Sequence, residues 1–423
     1  MPSEPLSMLL YKLFLFCYPK IAKLLGFFNP KAKQWTIGQE GVWNEIEANQ
    51  IKLQGHPIIW LHAASYGEFE QGLPIIEAIK IKYPQYKIWV TFFSPSGYLH
   101  RKDDPNVDAV TYLPFDGPKN AANFLNKVNP KLIVFIKYEF WFNYLSEAKA
   151  RKIPSILASA IFRKDQIFFK WYGGFYKNML SLFSSILVQD HEIYDLVAPI
   201  LTKTRLFISG DTRFDRVMHT SSTSQPIEWM HLLDGHKNII AGSTWKEDDA
   251  ILFKTTAHFN QFNWIIVPHH VDEKNIDACK RTYPSAITLT QLLNSNQKQT
   301  RPIVLIIDCI GLLRNIYQYA FISYVGGGFG KDGVHNVLEP AAFGKPVIWG
   351  YNDAKFKEAI GLRNQKGGYR IKNEAEFVMH VNELIQTTSH YDKICTNARN
   401  YIQINAGATQ KTMKEIMIQL EKS

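Results

Sequence analysis

Two α/β units, each a doubly wound parallel sheet covered by helices, are predicted for this chain of 423 residues. Three observations lead there. The length exceeds what one ordinary core serves and fits two domains of about 200 residues each. From residue 57 onward, short apolar runs alternate with amphipathic stretches, the pattern of parallel strands joined by crossover helices. A Ser/Thr-rich tract, MHTSSTSQP at 218–226, divides that alternation into two series. The expected division is a membrane-associating segment over 1–50, a first unit over 51–217, a linker over 218–237 and a second unit over 238–423.

Hydrophobic residues make up 46% of the chain and charged residues 20%, which is the composition of a folded protein. The formal charge of +10 suits an anionic partner: nucleic acid, a phosphate-bearing small molecule or an anionic membrane. No RRM, zinc-finger or clustered-arginine signature is present, so a nucleic acid partner is not expected. Cys17, Cys279, Cys309 and Cys395 lie scattered without CxxC or CxxxH spacing. Neither a zinc site nor a disulfide framework is expected from them, and a reducing cytoplasm is the simplest setting. No A-x-A cleavage pattern follows the apolar N-terminus, so a removed signal peptide is not expected.

Residues 7–28, SMLLYKLFLFCYPKIAKLLGFF, are rich in Leu and Phe, but Lys12, Lys20 and Lys23 interrupt them and Pro19 breaks the middle. A spanning helix wants about 20 nearly uncharged residues. Lysines at this spacing keep their heads in water while Leu9, Leu10, Leu13, Phe14 and Phe16 enter the acyl boundary. A monotopic interfacial anchor is the expectation, with a spanning helix and a core helix pair as alternatives. Lys12, Lys31 and Lys33 would strengthen attraction to an anionic leaflet.

The first series of strands reads PIIWLHAAS, KIWVTFFS, DAVTYLP, KLIVFIKYE, PSILASA, SILVQD and RLFISG, ending near Gly210. GEFEQGLPIIEAIKIKYP is the helix after the first strand. The second series reads NIIAGST, NWIIVPHH, PIVLIID, FISYVGGG and KPVIWG, each followed by a helical stretch. The sequence leaves open whether the last helix, about 407–421, returns to the first unit. Two such units offer a cleft at the carboxyl ends of their strands, where ligands of open sheets bind.

Gly326, Gly327, Gly328 and Gly330 follow the strand FISYV, and 336–342 is the expected next helix. Bare backbone N–H groups delivered to a helix N-terminus attract phosphate, and glycine permits both close approach and positive φ. Glu339, one turn into that helix, can accept hydrogen bonds from two ribose hydroxyls. The plainer reading is a flexible loop with Glu339 complementing the helix dipole. The spacing departs from G-x-G-x-x-G and lies late in the second unit, which disfavours a hydride-transfer enzyme.

In LHAASYGEFEQGLP, Glu68 sits in the first turn of the helix after a strand, where a carboxylate serves as a general base or merely caps the helix. FIKYEFWFNYL repeats the arrangement with Glu139, flanked by Tyr138 and Trp141. In ISGDTRFDRV, Arg213 lies between Asp211 and Asp215, either as a local ion-pair cluster or as a cation aimed at a leaving phosphate. IIVPHHVDEK places Pro268, His269 and His270 at a strand end. Adjacent residues of an extended chain face opposite ways, so a nucleotide contact fits these histidines better than a metal. No metal site is expected anywhere.

In this order, HAASYGE, YEFW, GDTRFD, AGSTWKEDD, VPHH, DCIGLLRNIYQYA and GGGFGKDGVHNVLEPAAFGKPVIWG resemble the 3-deoxy-D-manno-oct-2-ulosonic acid (Kdo) transferases of lipopolysaccharide synthesis. The resemblance covers nearly the whole chain, and the HNxLEPAxxGKPV core of the last motif is its most specific part. It implies the GT-B glycosyltransferase fold: two Rossmann-like domains facing a central cleft, the first binding acceptor and the second binding a CMP-sugar. It further implies transfer of Kdo from CMP-Kdo to the 6'-hydroxyl of a tetra-acylated lipid A precursor. The setting implied is the cytoplasmic face of the inner membrane, to which the protein is bound peripherally or monotopically.

Carried over by motif, the acid of the family's VSxGE motif, its proton acceptor, falls on Glu68. The acid of TELW, assisting at the transition state, falls on Glu139, here between Tyr138 and Phe140. Arg213 stands where GNxKFD has lysine, keeping the charge but changing the hydrogen-bond geometry. The family's CMP contacts fall on Pro268 and His269, on Ile310, Gly311 and Leu312, and on Asn336, Val337, Leu338 and Glu339. His269 replaces an arginine of VPRH, and Leu312 a glutamate of DTMGEL.

Kdo is joined to a single phosphate, so departure of CMP needs less charge neutralisation than departure of a pyrophosphate. Backbone amides, Arg213 and His335 are the expected stabilisers, with no cofactor or divalent ion, and Glu68 takes the proton from the attacking hydroxyl with inversion. Alternatives are another GT-B nucleotide-sugar transferase or epimerase, or a catalytically lapsed membrane-bound sugar-nucleotide binder.

Overall fold

The computed structural model describes residues 6–201, 204–233, 235–295, 297–298 and 303–422. Residues 1–5 of the expected anchor and Pro302 of the PIVLIID run lie outside them. The chain divides into two units, one of residues 1–216 with 406–423 and the other of 217–405.

In the first unit seven strands form one sheet: β1 (Ile58–Ala63), β2 (Lys87–Phe92), β3 (Ala109–Tyr112), β4 (Pro130–Ile136), β5 (Ser155–Ala160), β6 (Ser185–Val188) and β7 (Arg205–Ile208). Their order is β3-β2-β1-β4-β5-β6-β7, every pairing parallel. Both faces are covered, which is why these strands read as continuous apolar runs and β1 is buried along its whole length. One face packs Trp60, Phe124, Phe135 and Tyr144 together, and the other packs Leu61, Phe69, Val90 and Ile136.

The second unit repeats the plan with β8 (Asn238–Thr244), β9 (Asn263–Pro268), β10 (Ile287–Thr288), β11 (Val304–Ile306), β12 (Ala320–Val325), β13 (Val347–Gly350) and β14 (Gly368–Ile371). The order is β10-β11-β9-β8-β12-β13-β14, again all parallel. The sequence reading lacks β10 and β14. Two residues carry no periodicity, and β14 has Tyr369 half-buried and Arg370 exposed between its buried ends, so neither gives an apolar run. In each sheet the strand order reverses beside its first strand, between β1 and β4 and between β8 and β12. Such switch points are where open α/β sheets bind ligands.

Three features differ from the sequence division. The last helix, Ala408–Leu420, belongs to the first unit: Met413 and Ile416 enter the core beside Phe69 and Val90, and Glu415 accepts from Arg205 Nη1 at 2.9 Å. The Ser/Thr tract is no open linker, since the helix Thr212–Thr223 runs into it. Ser221, Ser222 and Thr223 return their hydroxyls to the carbonyls of Met218 and His219, which satisfies them inside a helix.

Third, residues 6–52 are not a segment apart but two helices, α1 (Leu6–Leu25) and α2 (Pro30–Lys52), packed on the first unit. Pro19 does not break α1. Tyr18 stacks on Phe115 with 5.3 Å between ring centroids and Ala22 is buried, so packing on both sides of the proline holds the helix across its missing N–H. Among the described residues no helix is long and apolar enough to cross a membrane. α1 nonetheless exposes Leu9, Leu10, Leu13, Phe14, Phe16, Ile21, Leu24 and Leu25, and Phe27 and Phe28 follow at 79% and 86% exposure.

The buried anchor of α1 is Tyr11, whose hydroxyl donates to Asp116 and accepts the Phe142 N–H at 3.2 Å. Burial pushes the Asp116 carboxyl up despite this bond and two more from Asn143. Tyr11→Phe deprives both partners inside the core. The expected result is a loss of roughly 1–3 kcal/mol in unfolding free energy, read as a lower urea midpoint with unchanged slope.

Candidate active site

The first unit gathers its chemistry at the carboxyl ends of β1 and β4. After β1, α3 (Tyr66–Lys82) starts at Ser65, and Glu68 is its third residue, 5% exposed. Glu68 Oε2 accepts the Ala64 N–H at 2.6 Å, so the carboxylate folds back over the turn in the manner of a capping box. The plainer reading of Glu68 as a cap is thus part of the structure. Its electrostatics go further: burial first, then the charge of Glu139, push the carboxyl up from 4.5 to about 7, against the pull of the Ala64 amide and Lys137.

Glu139 follows β4 and is held at one oxygen. Trp141 Nε1 donates to Glu139 Oε2 at 2.8 Å, and His62 Nε2 lies 3.2 Å from the same atom. His62 is fully buried in β1, and its Nδ1 meets Thr91 Oγ1 at 2.8 Å, which also accepts Trp60 Nε1 at 2.7 Å. Lys137 turns the chain out of β4 with φ of 73°, a left-handed value that costs a lysine about 1 kcal/mol or more and recurs at functional sites. Two carboxylates at neighbouring strand ends, one with proton affinity near neutrality, have the chemistry to act as an acid–base pair.

Arg213 comes to the same helix by another route. Thr212 Oγ1 donates to the Gln71 carbonyl at 2.6 Å and Gln71 Nε2 donates to Asp211 Oδ1 at 3.1 Å, one turn beyond Glu68. Arg213 Nε and Nη2 both lie 2.8 Å from Asp211 Oδ2. Burial pushes the Asp211 carboxyl up, but the Arg213 guanidinium outweighs it and leaves the group below its ordinary value. The local ion pair is therefore present. Asp215 is not part of it: it accepts from Gly407 N and Thr409 and fastens the last helix.

In the second unit the glycine loop leaves β12, and the reasons for its glycines are mostly packing. A Cβ on Gly326 would come within 2.3 Å of the Ser243 carbonyl oxygen, and one on Gly328 within 2.6 Å of the Gly350 nitrogen. Gly327, at φ of 87°, is the residue of the three that needs left-handed backbone. Farther along the loop Gly333 also takes positive φ, 83°, so glycine serves backbone conformation at Gly327 and Gly333 and close packing at Gly326 and Gly328. The expected helix from Asn336 starts at Leu338 and runs five residues to Ala342, because Asn336 Oδ1 caps it by accepting the Leu338 N–H at 3.2 Å. One and a half turns make little macrodipole, so backbone amides are what the loop offers. Among the described residues, the buried Gly328 N–H has no hydrogen-bond partner.

Asp248 pins this loop. It is the third residue of the helix Lys246–Thr256, fully buried; its Oδ2 accepts the Trp245 and Gly327 N–H groups at 2.9 and 2.8 Å, and its Oδ1 the Tyr324 hydroxyl at 2.6 Å. Pro268 ends β9, paired with Thr244, and His269 N donates to the Thr244 carbonyl at 3.0 Å. The rings of Trp245, His269 and His335 meet here, and Trp245 Nε1 donates to His335 Nε2 at 2.7 Å. His335 is pushed down to about 4, first by burial and then by His269.

Glu339 Oε1 accepts Asn336 Nδ2 at 3.2 Å. The Tyr317 phenol is pushed up by burial and then by the Glu339 charge, and the short helix before it, Leu313–Ile316, has Leu312 as its N-cap residue. Gly311 has φ of 91°, and Ile310 is 78% exposed. Val337 and Leu338 are buried and serve the core. Thus Glu68, Glu139 and Arg213 gather in the first unit, while Pro268, His269, Gly326, Gly327, Gly328 and His335 gather in the second, with Asn336 and Glu339 paired. The sequence reading gave no role to His62, Trp245 or Asp248. All three occupy quoted stretches at a strand end or first helical turn, and a buried polar group there was the available signal. Among the described residues no group of three or more His, Cys, Asp or Glu could hold a metal ion.

Residues 38–216 match the family model described as 3-Deoxy-D-manno-octulosonic-acid transferase (kdotransferase). A 3-deoxy-D-manno-octulosonic acid transferase of Haemophilus influenzae is 27% identical over 97% of this chain and 98% of its own length. One from Aquifex aeolicus is 28% identical over 77% of this chain and 86% of its own. In fold, the chain is similar to the UDP-GlcNAc 2-epimerase of Neisseria meningitidis, with a TM-score of 0.62 at 15% identity over 87% of this chain and 100% of that one. With two parallel-sheet units of GT-B type, a family model matched over residues 38–216 and relatives aligned end to end, the chain is similar along its length to the 3-deoxy-D-manno-octulosonic acid transferases.

Proposed function

We propose that this chain transfers Kdo from CMP-Kdo to the 6'-hydroxyl of a tetra-acylated lipid A precursor, with inversion, at the cytoplasmic face of an inner membrane. The observation that carries the reading is the buried Glu68 carboxyl, raised to about 7 beside Glu139. A base of that affinity is matched to taking a proton from a hydroxyl at neutral pH. Glu139, fixed by Trp141, steadies positive charge developing at the anomeric carbon, and Arg213, steadied by Asp211, is the cation assigned to the departing phosphate. The Gly328 amide, Pro268, His269 and the 310–312 segment hold CMP, and Glu339 takes the ribose hydroxyls.

A lipid acceptor is supported by a recess of about 470 Å³ that adjoins Glu139. Tyr11 and Phe14 of α1 line it together with Phe140, Trp141, Phe168 and Arg163. Apolar walls with one guanidinium suit acyl chains under a phosphorylated sugar. The same helix exposes an apolar stripe flanked by Lys12, Lys20 and Lys23, with Lys20 Nζ 3.3 Å above the Phe16 ring. That is the surface of an interfacial helix on an anionic leaflet.

Purified protein supplied with CMP-Kdo generated in situ and tetra-acylated lipid A adds the mass of one or more Kdo residues, read by mass spectrometry. Because a single phosphate leaves, the reaction persists in EDTA. Substitution of a UDP-sugar that supports turnover equally well would replace this reading with another nucleotide-sugar activity. Glu68→Gln lowers kcat/KM by about a hundredfold or more, and wild-type kcat/KM rises with pH and levels off above about 7.

Stability moves the opposite way. Native Glu68 binds more protons than the unfolded chain between 4.5 and about 7, so its contribution is intact below that window and is lost as pH rises through it. Glu68→Gln is therefore more stable than wild type at pH 8 by on the order of 2 kcal/mol, and equal to it near pH 4, in denaturant titrations. Separately, replacing Phe27 and Phe28 by Ser weakens flotation with anionic vesicles about tenfold or more, and raised salt weakens wild-type binding.

A further inference from the structure

Three rings meet at the carboxyl ends of β8, β9 and β12, and their geometry defines a proton. Trp245 and His335 lie nearly in one plane, 8° apart with centroids 6.2 Å apart, joined edge to edge by the 2.7 Å bond from Nε1 to Nε2. His269 covers both, its ring 4.7 Å from Trp245 at 21° and 4.4 Å from His335 at 15°. An indole N–H only donates. His335 Nε2 must therefore accept, which places the proton of the neutral ring on Nδ1. Nδ1 has no hydrogen-bond partner among the described residues.

The arrangement is fixed on every side. A Cβ on Gly327 would lie 2.8 Å from His335 Cδ2 and 3.1 Å from Nε2, so the accepting edge is packed on the loop and the Nδ1 corner faces away from Gly327. His335 N donates to the Gly326 carbonyl at 3.0 Å, which holds the backbone. Trp245 is itself fastened through its own N–H to Asp248, the residue that holds Gly327. The charged or titratable groups that act on the ring are His269, His270 and Asp332.

We propose that Trp245 is a positioning residue: its indole N–H locks His335 as the neutral Nδ1–H tautomer, which donates to the phosphate of the bound nucleoside monophosphate. This rests on the assignment of CMP to the second unit and deepens it. Where a cationic side chain would meet the phosphate as a charge, this ring meets it with a neutral donor held in place before binding. Protonation of His335 breaks the Trp245 bond, so the grip does not depend on a histidinium.

The test combines calorimetry with nitrogen-15 NMR of histidine-labelled full-length protein. Wild type shows His335 with Nδ1 protonated and Nε2 unprotonated at pH 6 to 8, and Trp245→Phe shifts it toward the other tautomer or a mixture. CMP binding weakens roughly tenfold in Trp245→Phe and in His335→Gln, whose amide reaches the Nε2 position. His335→Asn, whose amide nitrogen stands where Nδ1 stood, retains CMP binding within about threefold, and cytidine binds all four proteins alike. Thermal melting separates misfolding from these effects, since His335→Asn and His335→Gln remove the same ring. Wild type that binds CMP with His335 protonated at Nε2, or a Trp245→Phe that matches wild type in both tautomer and CMP affinity, overturns the inference alone. Equal losses of cytidine and CMP overturn the phosphate as its target. Wild type that binds no CMP overturns the donor assignment and the inference with it.

Discussion

Both units rest on the same constraint, a buried carboxylate at the third position of the helix that follows the first strand of each sheet. Taking such a group from water costs several kcal/mol unless hydrogen bonds replace its hydration. Asp248 receives three donors, from Trp245, Gly327 and Tyr324, and spends them on shape: helix start, glycine loop and strand end become one piece. Glu68 holds the matching place but has the Ala64 amide and a second carboxylate nearby, so the unmet cost appears as proton affinity. One position in the fold holds a three-donor fastener in one unit and a carboxyl raised to about 7 in the other; burial pushes both carboxyls up, and the donors around Asp248 pull against it.

Much of this was legible in the sequence because parallel strands buried on two faces leave unmistakable apolar runs. All seven strands of the first sheet and five of the second follow from those runs, as does the placing of Glu68 and Glu139 at strand ends. Meaning was harder to read than position. Gly326 and Gly328 look like a ligand cradle, but the atoms that exclude a side chain there belong to Ser243 and Gly350, more than 80 residues before and about 20 after in the chain. Pro19 reads as a break because local propensity is all the sequence shows, whereas Tyr18 on Phe115 is a tertiary contact that overrides it. His62 and Trp245 went without a role for the same reason, since each matters through a partner 77 to 90 residues away.

His269 is placed by its setting rather than by charge. An arginine needs acidic or phosphate partners to be held, while His269 is held by stacking on two rings and lies below its ordinary proton affinity, burial being the first cause. At this strand end the second unit thus presents pre-set geometry in place of a charge. In a partly desolvated site that arrangement is workable, because a neutral donor already in place has little solvation to lose when an anion arrives.

The N-terminal helix completes the chain of dependence in the first unit. Tyr11 accepts the N–H of Phe142 and donates to Asp116, and Asp116 accepts the N–H of Asn143. Trp141, the residue just before this pair, donates to Glu139. Three consecutive residues thus carry the bond to the Glu139 carboxylate and the bonds that fasten α1. The stretch begins the helix Phe142–Ala150, with Trp141 as the residue that precedes its first turn. The helix that carries the exposed apolar stripe and the Glu139 carboxylate are thus fastened through neighbouring residues of one short stretch.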